Sequence, residues 1–167
     1  MIDAGDRVLL TGEGREFWVK AGPGKLGTDK GQIELESLVG KSGGDIITTH
    51  SGAEFVIRIP RPTDFFAYGK RSGAPMLPKD IGLVIAYTGM NHNDGVLDAG
   101  TGSGIAAIYF GGVAKSVKTY EVRPEFSALA LKNITEAKLT NVEAVAKDFL
   151  DADGSYDVVH LDLQIQS

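Results

Sequence analysis

Two acids and a run of glycines in this chain are spaced like the parts of a nucleoside pocket. Val96-Leu97-Asp98-Ala99-Gly100-Thr101-Gly102-Ser103-Gly104 reads as a strand, a tight glycine turn and a helix start. Free backbone N–H groups and the positive end of the helix dipole at such a turn hold the polar part of a ligand. Glu121 ends the next apolar segment, about 20 positions on, where an acidic residue usually grips a ribose. The glycines leave two readings open, because Gly102-Ser103-Gly104-Ile105-Ala106-Ala107 also fits the dinucleotide pattern G-x-G-x-x-G/A. Asp98 favours the other one, since a carboxylate in the pocket suits a cationic amino-acid tail, as in a methionine-derived sulfonium, and opposes a pyrophosphate. A glycine turn that binds nothing would need turn, acid and spacing to coincide.

The elements that must position these residues alternate. Pro78 to Thr88 carries Ile81, Val84 and Ile85 at helical spacing, with proline at the start and Gly89 at the stop. Strands are expected at Gly95 to Ala99, Val117 to Glu121, Val142 to Ala146 and Tyr156 to Leu161. Helices are expected between them, near Ser103 to Phe110 and Pro124 to Lys138, the second with Phe126, Ala130, Ile134 and Ala137 on one face. This order predicts a Rossmann-like, doubly wound parallel sheet whose ligands sit beyond the carboxyl ends of the strands. Three acids fall near those ends: Glu121, Asp148 and Asp162. The front of the chain is β-rich instead, with one hairpin around Gly12-Glu13-Gly14 and a second around His50-Ser51-Gly52-Ala53. Pro60 and Pro62 end that run. The fold class is therefore α/β, with a small amino-terminal β domain over residues 1–62 and the Rossmann-like domain over residues 63–167.

Composition narrows the classes. The 167 residues are 43% apolar, enough for one ordinary domain or two small ones around a buried core. No apolar stretch reaches the roughly 18 residues of a membrane helix, and no signal-peptide pattern opens the chain. Cysteine is absent, which removes disulfides and thiolate metal sites. His50, His92 and His160 are scattered without metal-ligand spacing, so each reads as a loop or sheet residue, and neither a metal nor a membrane partner is expected. The net charge of -5 is unevenly spread, with 11 basic and 11 acidic side chains in residues 1–80 and 6 and 11 in the rest. Arg58, Arg61, Lys70, Arg71 and Lys79 face only Asp64 between positions 58 and 79, a local cluster able to meet phosphates. Phe65, Phe66 and Tyr68 lie among them, suited either to stacking on splayed bases or to packing a core.

Several blocks together resemble the tRNA (adenine-N1)-methyltransferases, class I enzymes that use S-adenosyl-L-methionine to modify adenine in the T-loop of tRNA. They are Gly69 to Asp80, Leu97 to Gly104, Tyr120-Glu121-Val122-Arg123-Pro124, Asn141-Val142 with Lys147-Asp148-Phe149, and Val159-His160-Leu161-Asp162-Leu163. The front agrees, with Lys25 to Gly31, Leu38-Val39-Gly40 and His50-Ser51-Gly52 similar to that family's small β domain.

By matching position, the resemblance implies that Asp98, Gly100, Thr101, Gly102, Ser103 and Gly104 hold the methionine part of S-adenosyl-L-methionine or S-adenosyl-L-homocysteine. Glu121 would take the ribose hydroxyls and Arg123 close over the pocket. Asp148 would accept from the adenine amino group, Phe149 lie against the ring, and Met76 and Leu77 line the adenosine side. Asp162 is the expected catalytic residue. Attack by adenine N1 on the sulfonium methyl leaves a cation unless N6 loses a proton, and a carboxylate at the strand end would orient the base and stabilise or remove that proton. The cations at 58, 61, 70, 71 and 79 would meet tRNA. A cytoplasmic homo-oligomer, a tetramer in the family, is also implied.

One departure stands out. Family members continue from this Asp-Leu into a Pro-Trp stretch and a long further segment, whereas here the sequence reads Gln164-Ile165-Gln166-Ser167. The expected sheet is therefore incomplete at its carboxyl-terminal strands, and this chain alone is expected to bind cofactor with little or no turnover. The competing classes are a methyltransferase of similar fold acting on a protein or small molecule, and a binding module for nucleotide or RNA.

Overall fold

A computed structural model describes residues 1–71 and 73–163. The chain forms two compact units, Met1–Arg61 and the part from Pro62 onward. In the first, β1 (Arg7–Gly12) and β2 (Arg15–Lys20) form a hairpin with Gly12 opposite Arg15. The two turn residues between them, Glu13 and Gly14, both have positive φ, 52° and 71°, as a two-residue turn matched to strand twist requires. A further hairpin, β3 (Lys25–Thr28) with β4 (Gly31–Glu34), goes beyond the sequence expectation. It follows from the turn at Thr28 to Gly31, where the Thr28 hydroxyl donates to the Gly31 carbonyl at 2.6 Å. The strands β5 (Ile46–Thr48) and β6 (Glu54–Arg58) complete an antiparallel sheet of order β2-β1-β6-β5. Strict alternation in β6 turns Phe55 and Ile57 inward, onto Val8, Leu10, Ile33, Leu38 and Ile47.

The second unit opens with α1 (Pro62–Tyr68). Pro62, expected with Pro60 to end the β run, thus also starts a helix, since proline's missing N–H costs nothing in a first turn. After α2 (Pro78–Thr88), closed by Gly89 in the left-handed region, come β7 (Gly95–Ala99), α3 (Ile105–Gly111), β8 (Ser116–Tyr120), α4 (Pro124–Glu136), β9 (Val142–Val145) and β10 (Val158–Leu161). The four strands are parallel in the order β10-β7-β8-β9. The order of strands across the sheet reverses between β7 and β10, which is the switch point where doubly wound sheets open a crevice at their carboxyl ends. Val96, Leu97, Asp98 and Ala99 in β7 are all buried. Leu97 and Ala99 share one face with Tyr120, against which Val145, Phe149, Ala152 and Tyr156 pack. Asp98 belongs to the other face by the period of two. Two boundaries differ from expectation in a way that matters below: β8 stops at Tyr120, leaving Glu121 just past the strand, and α3 starts at Ile105 because the preceding glycines are not helical.

Candidate functional site

The glycine loop after β7 is shaped by three left-handed residues, Gly100 (φ 81°), Gly102 (φ 55°) and Gly104 (φ 86°). Its first N–H groups turn back onto β8, with Gly100 N donating to the Tyr120 carbonyl at 3.0 Å. A Cβ at Gly104 would sit 3.3 Å from Ala130 of α4, so that glycine serves the approach of two helices. The Asn133 amide on α4 donates to the Ser103 carbonyl at 2.8 Å and to the Lys70 carbonyl at 3.1 Å, fixing the loop from below.

Around this loop lies a cleft of about 430 Å³ at the carboxyl ends of β7, β8 and β10. Met76, Asp98, Gly100, Thr101, Gly102, Ser103, Glu121, Arg123 and Asp162 line it, together with Pro75, Val122, Phe126 and His160. Asp98 is 2% exposed, and both its oxygens are engaged. The Thr119 hydroxyl donates to Oδ2 at 2.6 Å, and His160 Nδ1 lies 2.7 Å from Oδ1. Since Thr119 gives its proton to Asp98, the Thr101 hydroxyl 2.5 Å away must donate to Thr119. The acid therefore forms a hydrogen-bonded floor instead of presenting a bare carboxylate.

Glu121 is 4% exposed and accepts from Gly102 N at 3.0 Å, Arg123 Nη2 at 2.9 Å and Arg123 Nε at 3.1 Å. Burial pushes its carboxyl upward, but the Arg123 guanidinium and the Gly102 and Arg123 N–H groups outweigh that and hold it below the usual carboxylate range. The guanidinium also stacks over the Phe126 ring at 3.8 Å. One buried polar atom in the lining, Ser103 Oγ, has no hydrogen-bond partner among the described residues. A ligand that offers it one is the ordinary explanation for such an orphan.

Other expected residues lie elsewhere. Leu77 is exposed at the start of α2. Asp148 is exposed and caps the short 3-10 turn Phe149–Asp151 by accepting from Leu150 N at 3.0 Å, while Phe149 packs on Leu97, Ala99 and Tyr120. Among the cations, Arg58 and Arg61 belong to the first unit and Lys70, Arg71 and Lys79 to the second. Arg71 lies over Phe66 at 5.0 Å, and Phe65 is core at 1% exposure. Composition and spacing do not reveal the parts of His160, Thr119 and Asn133, which need the register that sets His160 beside Asp98 across β10 and β7. No group of three or more His, Asp or Glu side chains converges as a metal site among the described residues, and no described helix is long and apolar enough to cross a membrane.

No family model matches the chain. It is 34% identical over 131 residues to the tRNA (adenine(57)-N(1)/adenine(58)-N(1))-methyltransferase TrmI of Methanocaldococcus jannaschii, covering 77% of this chain and 45% of that protein. It is 30% identical to the tRNA (adenine(58)-N(1))-methyltransferase TrmI of Thermus thermophilus, covering 95% of this chain and 66% of that one. The chain belongs to the tRNA (adenine-N1)-methyltransferase family. It spans between about half and two thirds of the length of these members. Two solved structures carry the likeness into three dimensions. A SAM-dependent O-methyltransferase from Thermotoga maritima has a TM-score of 0.83 at 31% identity, covering 97% of this chain and 64% of that one. The family's tRNA (m1A58) methyltransferase TrmI from Aquifex aeolicus has a TM-score of 0.77 at 28% identity, covering 98% and 66%.

Proposed function

We propose that this chain is the cofactor-binding portion of an enzyme that methylates N1 of adenine 57 or 58 in the T-loop of tRNA, using S-adenosyl-L-methionine. The observation that carries the reading is the cleft at the switch point, where Glu121, the orphan Ser103 hydroxyl and Asp162 surround a loop of left-handed glycines. Those residues fit the cofactor chemically: backbone N–H and Ser103 for the amino-acid tail, Glu121 for ribose hydroxyls, Phe126 and Met76 as apolar walls. The bound cofactor supplies an electrophilic methyl on a sulfonium.

In this reading Arg123, whose side chain is 46% exposed, swings from Glu121 to admit the ribose and then covers it. Asp98, held by Thr119 and His160, forms the floor of the cleft and lends it negative charge suited to the cationic amino-acid tail. Asp162 accepts a hydrogen bond from adenine N6 and takes its proton as N1 is alkylated, so the base leaves neutral. Leu77, Gly104, Asp148 and Phe149 support this pocket through the elements they cap or pack. A cytoplasmic homo-oligomer, tetrameric as the family resemblance implies, completes the proposal, with light scattering as its check.

Calorimetry with S-adenosyl-L-methionine, S-adenosyl-L-homocysteine and NAD tests the cofactor, and preferred NAD binding overturns it. Glu121→Ala should weaken binding of both adenosyl compounds by about 10- to 150-fold, the loss of one hydrogen bond to a charged group at about 1.5 to 3 kcal/mol. Methyl transfer to unmodified tRNA by a form of the protein that turns over, scored by nucleoside mass spectrometry beside a protein extract, tests the acceptor. Modification of protein alone, or at an oxygen, sinks the adenine assignment. Neutralising Arg58, Arg61, Lys70, Arg71 and Lys79 should lower tRNA affinity and flatten its salt dependence, by about 0.7 to 0.9 in log-log slope for each phosphate no longer neutralised. An unchanged slope removes these cations from the tRNA surface.

A further inference from the structure

His160 is the feature of the cleft that the proposed chemistry leaves unused. It sits on β10 directly opposite Asp98 of β7, its Nδ1 2.7 Å from the Asp98 carboxylate, with side-chain exposures of 11% and 2%. From α3 the Phe110 ring meets it edge-on, at 5.2 Å between centroids. Asp162, two residues further along the chain, adds a second negative charge, and Glu121 paired with Arg123 completes the charged groups around the cleft. Imidazole keeps a donor on Nδ1 whether or not Nε2 carries a proton. The hydrogen bond to Asp98 therefore survives titration, and what changes is the net charge of the floor.

Resting on the cofactor reading above, we infer that His160 is a specificity-determining residue: its protonation state sets how strongly the cleft prefers cationic S-adenosyl-L-methionine over neutral S-adenosyl-L-homocysteine. With His160 protonated, imidazolium and Asp98 cancel, and the floor gives the sulfonium little advantage. With His160 neutral, Asp98 contributes a full negative charge, so the sulfonium form is favoured and the demethylated product is released more readily. The hydrogen bond to Asp98 raises the His160 pKa against the opposing effect of burial, with Asp98 and Asp162 adding through space. The switch thus operates above the ordinary histidine range. The same shift has a sign in stability: the contribution of the pair is complete below the unfolded histidine pKa and is lost as pH rises through the folded one.

The test is the ratio of the two dissociation constants, measured by calorimetry between about pH 5.5 and pH 8.5 on the wild-type chain and on His160→Asn. The asparagine amide can take the place of Nδ1 as donor to Asp98 without carrying charge. The wild-type ratio should move toward S-adenosyl-L-methionine with rising pH by about three- to tenfold more than the variant's, the scale of one unit charge across a cleft open to water. Titration of the cofactor's own ammonium group is common to both proteins and cancels in that comparison. Identical pH profiles for wild type and His160→Asn, with both compounds bound, overturn the inference and leave the cofactor reading standing. Failure of wild type to bind either compound overturns both. A histidine imidazole titration by NMR provides a ligand-free check: the His160 midpoint should fall in Asp98→Asn, and an unmoved midpoint contradicts the pairing.

Discussion

Replacing Asp162 by asparagine is expected to slow methyl transfer by about 10² to 10⁴ while cofactor binding persists, the range for a positioned general acid or base. The residue follows β10 and lines the cleft, and its backbone N–H donates to the Ala99 carbonyl at 3.0 Å, so its backbone is fixed by β7. Asparagine keeps the size and the hydrogen-bonding carbonyl but cannot accept the N6 proton. Single-turnover kinetics on tRNA, in a form of the protein that turns over, separates the effect from binding. Near-normal rates with intact binding remove Asp162 from the chemistry. Loss of binding as well would assign the damage to the strand end.

Gly100→Ala is expected to cost about 3 to 5 kcal/mol of stability and to abolish cofactor binding, because strain and overlap act together. At φ 81° a side chain costs about 1 to 2 kcal/mol, and the new methyl would land on the Asp162 carbonyl, with Leu163 Cδ2 also 3.4 Å away. The end of β10 must then move off β7. Gly102→Ala is the internal comparison: its nearest neighbour would be the Gly100 carbonyl at 4.0 Å, so only the conformational cost of about 1 to 2 kcal/mol applies. Urea unfolding of the two variants should rank Gly100 well above Gly102, and equal losses would show that β10 yields without penalty.

Much of this arrangement is readable from residue order alone because it is local. The strand-turn-helix around Gly100 to Gly104, the helix between Pro78 and Gly89, and both outer hairpins of the first unit depend on turn residues and periodicities within a dozen positions. Proline misleads at Pro62, where one residue ends a β run and begins a helix. The β3-β4 hairpin escapes a pattern reading because its strands are four residues each and only Ile33 is fully buried. At the site, the expectation for Glu121 as an acid beside the loop matches its place, but its clasp by Arg123 is a side-chain event. For Asp98 the sequence announces a carboxylate, and the hydroxyl and imidazole that occupy it come from Thr119 and His160, 21 and 62 residues away. Such partners are fixed by strand register, which no single segment encodes.

The Asn133 amide spans separations of 30 residues to Ser103 and 63 to Lys70. These contacts support the glycine turn only when α4 is docked, and the loops they close cost entropy before the contacts reward it. Ligand that binds only the finished cleft draws population from partly assembled chains and raises apparent stability with concentration. Amide exchange at Gly102 and in the last turns of α4, around Asn133, should then slow in concert when ligand is added, carrying occupancy from the Phe126 end of the helix, which lines the cleft, to its other end.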